Sequence, residues 1–129
     1  MRSTKSETNS NPQNPKQYDL EDRTLAYARR VRTLVRELPR TTASIEDGKQ
    51  LIRASGSVGA NYIEANESLS KKDFVLRIKI CRKEAKESRY WLKLIETENC
   101  AQHEQERKQL VQEATELMNI FGAILQKSR

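Results

Sequence analysis

Residues 70–98 read SKKDFVLRIKICRKEAKESRYWLKLIETE, and apolar or small side chains recur in them with the period of an α-helix. The spacing alternates between four and three residues, which is the heptad pattern of a helix packed against other helices. The stretch opens with Ser70 and Asp73, which resemble a capping box with Asp in place of Glu. The stripe that we predict to face the core is Phe74, Ile78, Cys81, Ala85, Ser88, Leu92 and Ile95.

Three further segments have the same helical period. The first covers about residues 20–38 and ends at Pro39, and the second covers about residues 44–68. The helix quoted above forms the third, and a fourth follows the polar residues 99–102. No segment alternates with the period of two that is typical of strands. Four long helices with short connections predict an all-α fold, an antiparallel up-down-up-down four-helix bundle.

The composition divides the chain into a polar tail and one modest domain. Leu, Ile, Val and Phe make up 27 of 129 residues, just above the level of roughly 20% below which highly charged chains are usually disordered. None of these apolar residues lies within residues 1–19. We therefore expect a flexible tail over residues 1–18 and a four-helix domain over residues 19–129, with no second domain.

Several other classes of protein do not fit this composition. The longest apolar run, Ile120 to Leu125, is far shorter than the roughly 18 residues that a membrane helix needs. The N-terminus has no apolar segment of the kind found in a secretory signal. Cys81 and Cys100 are too few for a disulfide scaffold. We expect a cytoplasmic protein with no membrane partner, and the sequence assigns no role to either cysteine.

Two glycines lie in the middle of the second helical segment. Gly56 and Gly59 each cost a helix roughly 1 kcal/mol relative to alanine. One explanation is close approach of a neighbouring helix, because both positions belong to pairs of small residues four apart. The alternative is the G-x-x-G phosphate loop of KH domains, which requires strands that this chain does not predict. The pattern favours helix packing.

The third helix has a second stripe, about 110° around its axis from the first. The stripe consists of Ile80, Glu84, Glu87, Trp91 and Leu94. A helix with two such stripes is either buried between its neighbours or also faces another subunit. We favour self-association, with Trp91 as an interface anchor.

The two glutamates of this second stripe raise the question of a metal site. Glu84 and Glu87 lie one turn apart, and Asn61 and Glu64 form another such polar pair on the second helix. Di-metal bundles use Glu-x-x-His on two helices, whereas the only histidine, His103, has no glutamate three residues away on the N-terminal side. We therefore expect these four polar residues to form an oligomer interface or a buried polar network with an arginine such as Arg53. We expect no metal and no cofactor. The alternatives are a metal site and exposure of the glutamates to solvent.

The remaining face of the third helix is basic. Its lysines recur every seven residues over a length of about 32 Å, enough for several phosphates of a polynucleotide. An exposed face normally mixes both signs of charge, so this pattern favours a polyanionic partner over plain solvation. The predicted contact residues are Lys72, Lys79, Arg82, Lys83, Lys86, Arg89 and Lys93, and an auxiliary cluster on the first helix is Arg29, Arg32 and Arg36.

Several motifs resemble a known family. Residues 53–65 read RASGSVGANYIEA, residues 83–92 read KEAKESRYWL, and residues 72–74 read KDF. The opening of the domain, DLEDRT at residues 19–24, also matches. These motifs resemble a bacterial, ribosomal-protein-like family of four-helix bundles whose genes are found in intervening sequences of large-subunit ribosomal RNA genes. The similarity extends from about Asp19 to the end of the fourth helix.

The resemblance implies a fold and a set of partners. It implies an antiparallel four-helix bundle that assembles as a ring-like homopentamer with a basic surface and without established enzymatic activity. A related branch contains the accessory variability proteins of diversity-generating retroelements, which bind a reverse transcriptase and its template RNA. We therefore expect a non-enzymatic, oligomeric protein that binds RNA or another nucleic acid. The alternative is a protein-interaction scaffold, such as an accessory subunit of a reverse transcriptase; a metal-dependent hydrolase built on Glu64, Glu84 and Glu87 is a third hypothesis.

Overall fold

Four helices account for nearly all of the part of the chain that the structure describes. The computed structural model describes the backbone of residues 15–129 and the side chains of residues 20–129. The helices are α1 (Pro15–Arg36), α2 (Thr42–Asn66), α3 (Lys71–Leu94) and α4 (Ala101–Lys127). Residues 15–129 contain no strand, so the prediction of an all-α fold is confirmed.

Helix α1 begins earlier than the apolar pattern predicts. Its first residue is Pro15, whereas the apolar pattern starts at Leu20. The pattern misses this start because proline suits the first helical turn but adds nothing to an apolar stripe. Residues 15–18, placed by prediction in the flexible tail, are therefore helical. Residues 1–14 of that predicted tail lie outside the described residues.

Side chains cap two of the helices at the positions where the sequence breaks its helical pattern. Ser70 Oγ accepts a hydrogen bond of 3.1 Å from the backbone N–H of Asp73, as the capping motif predicts. Thr41 Oγ1 accepts the equivalent bond of 3.1 Å from Ser44 at the start of α2. Each bond pairs one of the helix N–H groups that has no partner within the helix.

The apolar stripe of α3 lies at the centre of a single core. Six of its seven predicted members are buried, and Phe74 is partly buried against the others. The core also receives Val31, Leu51 and Leu117 from the other three helices, all fully buried. The heptad prediction for α3 is therefore confirmed.

One polar contact crosses this core. The Tyr27 hydroxyl of α1 lies 2.6 Å from Ser88 Oγ of α3, and Ser88 Oγ lies 2.8 Å from the carbonyl oxygen of Ala85. Because Ser88 donates to Ala85, the Tyr27 hydroxyl is the donor to Ser88, and burial raises the pKa of Tyr27 to about 12. The hydroxyl groups are thus paired inside an otherwise apolar interior.

Only one of the two central glycines of α2 is required by close helix packing. A Cβ atom at position 59 would lie 2.7 Å from Thr24 Oγ1 of α1, so close that Thr24 or one of the two helices would have to shift. At Gly56 the nearest atom is a guanidinium nitrogen of Arg32, at an ordinary contact distance of 3.6 Å. The packing interpretation is supported for Gly59, and the KH-loop alternative is wrong because both glycines lie inside a continuous helix.

Arginine–glutamate pairs join α1 to α4, the least extensive of the helix contacts. Arg23 donates to both carboxylate oxygens of Glu113, at 2.7 and 2.9 Å, and to Glu116 at 2.7 Å. Two turns further along α1, Arg30 donates to both carboxylate oxygens of Glu106 at 3.1 Å. Such two-pronged pairs have a fixed geometry, so they help to align the two helices. No helix in the described chain is long and apolar enough to cross a membrane.

Candidate nucleic-acid interface

The basic face predicted on α3 is present at the surface. Lys72, Lys79, Arg82, Lys83, Lys86 and Lys93 are all exposed. Arg89, the seventh predicted member, is partly buried and donates a hydrogen bond of 3.1 Å to Thr115 Oγ1 of α4. Six of the seven cations are therefore directed to solvent, and Arg89 is engaged with the neighbouring helix.

Four of these cations line an open groove between α3 and α4. The groove has a volume of about 680 Å³ and is lined by Val75, Lys79, Arg82, Lys83, Lys86, Met118, Leu125, Ser128 and Arg129. Lys72 and Lys93 do not line it, since they lie towards the two ends of α3. The α3 helix thus supplies one wall of cations, α4 supplies apolar groups, and Arg129, which follows α4, adds a fifth cation.

Arg129 is the groove cation that sequence reasoning missed. It follows the last turn of α4, outside any periodic pattern, and is exposed. Arg82 is among the predicted contact residues, and its side chain extends towards α4. Its guanidinium carbon would lie 3.9 Å from a Cβ atom placed on Gly122 of α4. Only the pairing of α3 with α4 brings these two arginines to the same groove.

The basic face is less free of carboxylates than the helical projection suggests. Lys83 Nζ lies 3.8 Å from a carboxylate oxygen of Glu87 and 3.9 Å from one of Glu84. A helical projection places both glutamates away from the basic face, yet Glu87 lies one helical turn beyond Lys83 and within ion-pair distance of it. Within residues 20–129, no carboxylate lies within ion-pair distance of Lys79, Arg82 or Lys86.

The arginine cluster of α1 lies on a different groove. Arg29, Arg32 and Arg36 are exposed, as predicted, but Arg29 and Arg32 line a groove of about 470 Å³ between α1 and α2. Its other walls are mostly apolar or small, and Leu25 and Ile63 are 49% and 44% exposed there. The α1 arginines therefore do not extend the basic face of α3, and the two cationic surfaces belong to different helix pairs.

Part of the predicted polar network exists between α2 and α3. Glu84 is only 7% exposed, and its Oε1 lies 3.6 Å from Arg53 NH1 without a hydrogen-bond partner among the described residues. Arg53 also donates to Glu87 at 3.3 Å. Glu84, Glu87 and Arg53 are thus brought together, as the sequence suggests.

The second polar pair of the prediction lies elsewhere. Asn61 donates to the carbonyl oxygen of Ser57 at 2.8 Å and accepts from Arg77 at 3.0 Å, so its amide is occupied away from Glu84. Glu64 is exposed on α2. The described residues contain no group of three or more His, Cys, Asp or Glu side chains that could hold a metal ion.

Trp91 packs against the core of its own chain. It is partly buried against the core and makes an edge-on contact with Tyr90, with ring centroids 5.1 Å apart. Its neighbours Tyr90 and Leu94 are 60% and 47% exposed. The end of the second stripe therefore leaves apolar surface uncovered near Trp91.

Neither cysteine takes part in the candidate site. Cys81 is buried in the core, and burial raises the pKa of its thiol to about 12. Such a thiol stays protonated and unreactive at neutral pH. Cys100 is partly exposed and precedes α4 without capping it through its side chain.

Comparison with known proteins places this arrangement in a family. The chain is similar to a protein of unknown function from the S23 ribosomal protein family of Bacteroides thetaiotaomicron VPI-5482, known from a crystal structure. The two are 31% identical with a TM-score of 0.71, over 82% of this chain and 97% of that one. A search of curated proteins gives no match. Residues 16–123 match the family described as 23S rRNA-intervening sequence protein, and the chain belongs to that family.

Proposed function

We propose that this chain is a non-enzymatic RNA-binding protein that contacts the phosphate backbone through the groove between α3 and α4. The observation that carries the proposal is the convergence of five cationic side chains on one groove, of which only Lys83 has an acidic side chain of residues 20–129 within ion-pair distance. Like charges this close repel one another, so a polyanion that enters the groove gains attraction and relieves that repulsion. The rRNA link in the family description supports RNA as the polyanion.

The groove residues have distinct roles in this proposal. Arg82 and Arg129 can each hold a phosphate with two parallel hydrogen bonds, whereas Lys79 and Lys86 act as point charges. Lys72 and Lys93 extend the contact at the two ends of α3. Arg89 supports the helix pair through Thr115, and Arg29, Arg32 and Arg36 form a separate contact on the α1 side.

The proposal includes an antiparallel bundle that self-associates. The ion pairs between α1 and α4 support an antiparallel order, because the partner's residue number in α4 falls as the residue number in α1 rises. Arg23 meets Glu113 while Arg30 meets Glu106. The exposed apolar surface beside Trp91 supports a subunit interface, and a ring-like homopentamer is the assembly that the family resemblance implies. Assembly would add the weak charge contacts of each subunit by avidity.

The groove between α1 and α2 supports a second candidate function, a protein-interaction scaffold. Leu25 and Ile63 are exposed across a floor of small residues, with Arg29 and Arg32 at the rim. An apolar groove of this kind suits a helix of a partner protein better than it suits a phosphate backbone. A reverse transcriptase, the partner of the related branch, is one such protein; its co-purification through this groove would favour the scaffold over the RNA binder.

A binding titration with charge-matched variants tests the leading proposal. We expect the triple variant Lys79→Glu, Arg82→Glu and Lys86→Glu to lose at least about 10-fold in affinity for RNA at moderate salt, with a shallower salt dependence. The control variant Arg40→Glu, Lys49→Glu and Lys108→Glu changes the net charge equally at exposed sites outside the groove. It should bind within about two- to threefold of the wild type. Equal losses in both variants would contradict a contact localised to the groove.

A further inference from the structure

The floor of the α3–α4 groove differs chemically from its rim. Val75 of α3 and Met118 and Leu125 of α4 line the groove and are each partly buried, so a face of each remains open to solvent. The cations Lys79, Arg82, Lys83, Lys86 and Arg129 stand around them. A surface built only to attract phosphates has no use for exposed apolar groups between its charges.

Charged rim and apolar floor together match the two halves of a nucleotide. The phosphate is an anion that the rim would hold, and the flat face of the base is weakly polar and gains from apolar contact. In a duplex the base faces are stacked on one another and only phosphates, sugars and base edges reach the surface. Only an unpaired base can be laid against the floor of the groove.

We propose that the groove selects single-stranded over double-stranded RNA, with unpaired bases lying on Val75, Met118 and Leu125. This inference rests on the proposed RNA-binding function and assigns its substrate class. A volume of about 680 Å³ lies within the range of roughly 300–1,000 Å³ that accommodates compact organic ligands, so a nucleotide or two fit within it.

The identity of the floor residues sets the strength and the sequence dependence of this selection. None of the residues lining the groove is aromatic, and Tyr90 and Trp91 do not line it. Aliphatic side chains and a thioether give weaker contacts than the aromatic stacking used by most single-strand binders. We therefore expect a modest preference, about fivefold, that is nearly independent of base sequence.

The test compares one unstructured 12-nucleotide RNA with the duplex that it forms with its complement. Fluorescence anisotropy on the full chain at fixed salt should show about fivefold tighter binding of the single strand. The variant Met118→Gln and Leu125→Gln should bind the duplex as the wild type does and lose the single-strand preference. The control Val111→Gln and Ile120→Gln alters two partly buried apolar residues of α4 that do not line the groove, and should keep the preference.

Photo-crosslinking provides a readout on the unaltered chain, in case glutamine at the floor unfolds the protein. RNA carrying 4-thiouridine should crosslink to peptides that contain Val75, Met118 or Leu125, and mass spectrometry locates the adducts. Crosslinks absent from these peptides, or a floor variant that retains the preference, would overturn the inference. Salt-dependent binding of both RNA forms with equal affinity would overturn it and leave the proposed function standing, whereas no salt-dependent binding of either form would overturn both.

Discussion

Gly56 and Gly59 lie one turn apart on α2, yet their contacts give opposite predictions for alanine. At Gly59 the added methyl group would collide with Thr24 Oγ1 at 2.7 Å. Overpacking destabilises a fold by roughly 1–3 kcal/mol, and the higher helix propensity of alanine offsets about 1 kcal/mol of this. Gly59→Ala should therefore destabilise the fold by about 1 kcal/mol. At Gly56 the methyl group has room, and Gly56→Ala should stabilise the fold by up to about 1 kcal/mol.

Urea denaturation of both glycine variants measures these changes. Thr24→Ala provides the control, because it removes the hydroxyl that meets the new methyl group. In the Thr24→Ala background, Gly59→Ala should cost less than it does in the wild type, and this coupling identifies the contact. Equal effects at positions 56 and 59 would contradict the packing assigned to Gly59.

The connection between α3 and α4 contains two residues in the left-handed region. Glu98 has φ 50° and Asn99 has φ 61°, and neither is a glycine. Asparagine tolerates this conformation better than glutamate does, because its short side chain bonds to the local backbone. We expect Glu98→Gly to stabilise the fold by about 0.5–1 kcal/mol and Asn99→Gly to do less, as measured by thermal unfolding. A loss of stability in Glu98→Gly would show that the glutamate makes a contact that outweighs its backbone strain.

The first turn of α4 is an element whose stability should depend on pH. Arg107 holds the pKa of Glu104 at about 2, below its usual 4.5, and Thr97 donates a further hydrogen bond to the same carboxylate. A carboxylate with a lowered pKa stabilises the fold above its unfolded pKa and loses that contribution as pH falls towards the folded value. The unfolding temperature should therefore fall between about pH 4.5 and pH 2. Glu104→Gln should make this decline shallower, and an unchanged slope would contradict the assignment.

At the level of helices, the sequence predicts what depends on one helix alone. The α3 stripe and the cap at Ser70 follow from local spacing, and both are found in the structure. The start of α1 at Pro15 is missed, because residues 15–19 contain no Leu, Ile, Val or Phe to continue the stripe. Arg129 and the floor of the groove are missed because they depend on how α3 and α4 are aligned, which no single-helix projection contains.

The placement of the α1 arginines shows the same limit for the molecule as a whole. Charge and spacing identify Arg29, Arg32 and Arg36 as an exposed basic cluster, and the structure agrees. Which groove Arg29 and Arg32 line depends on the order of helices around the core, and that order separates them from Lys79 and Lys86. The chain thus carries a strongly cationic groove and a separate, mainly apolar one.

The proposed self-association belongs to the scale of the whole molecule, and the exposed end of α3 allows a matched test. Leu94 is 47% exposed beside Trp91, whereas Leu69 is 99% exposed at the turn between α2 and α3. Leu94→Asp should reduce the mass measured by light scattering to that of one subunit, because a charge at an apolar interface loses its hydration on assembly. Leu69→Asp makes the same change of charge outside the proposed interface and should leave the mass unchanged.

Assembly should also determine how affinity grows with RNA length. A ring that presents several grooves binds a long RNA by avidity, whereas a 12-nucleotide RNA occupies one groove only. Leu94→Asp should therefore weaken binding of a 60-nucleotide RNA by at least about 10-fold and leave binding of the short RNA nearly unchanged. If light scattering gives a single-subunit mass for the wild type, the interface role of Trp91 is wrong. If the dissociated variant binds long RNA as tightly as the wild type, each subunit acts alone.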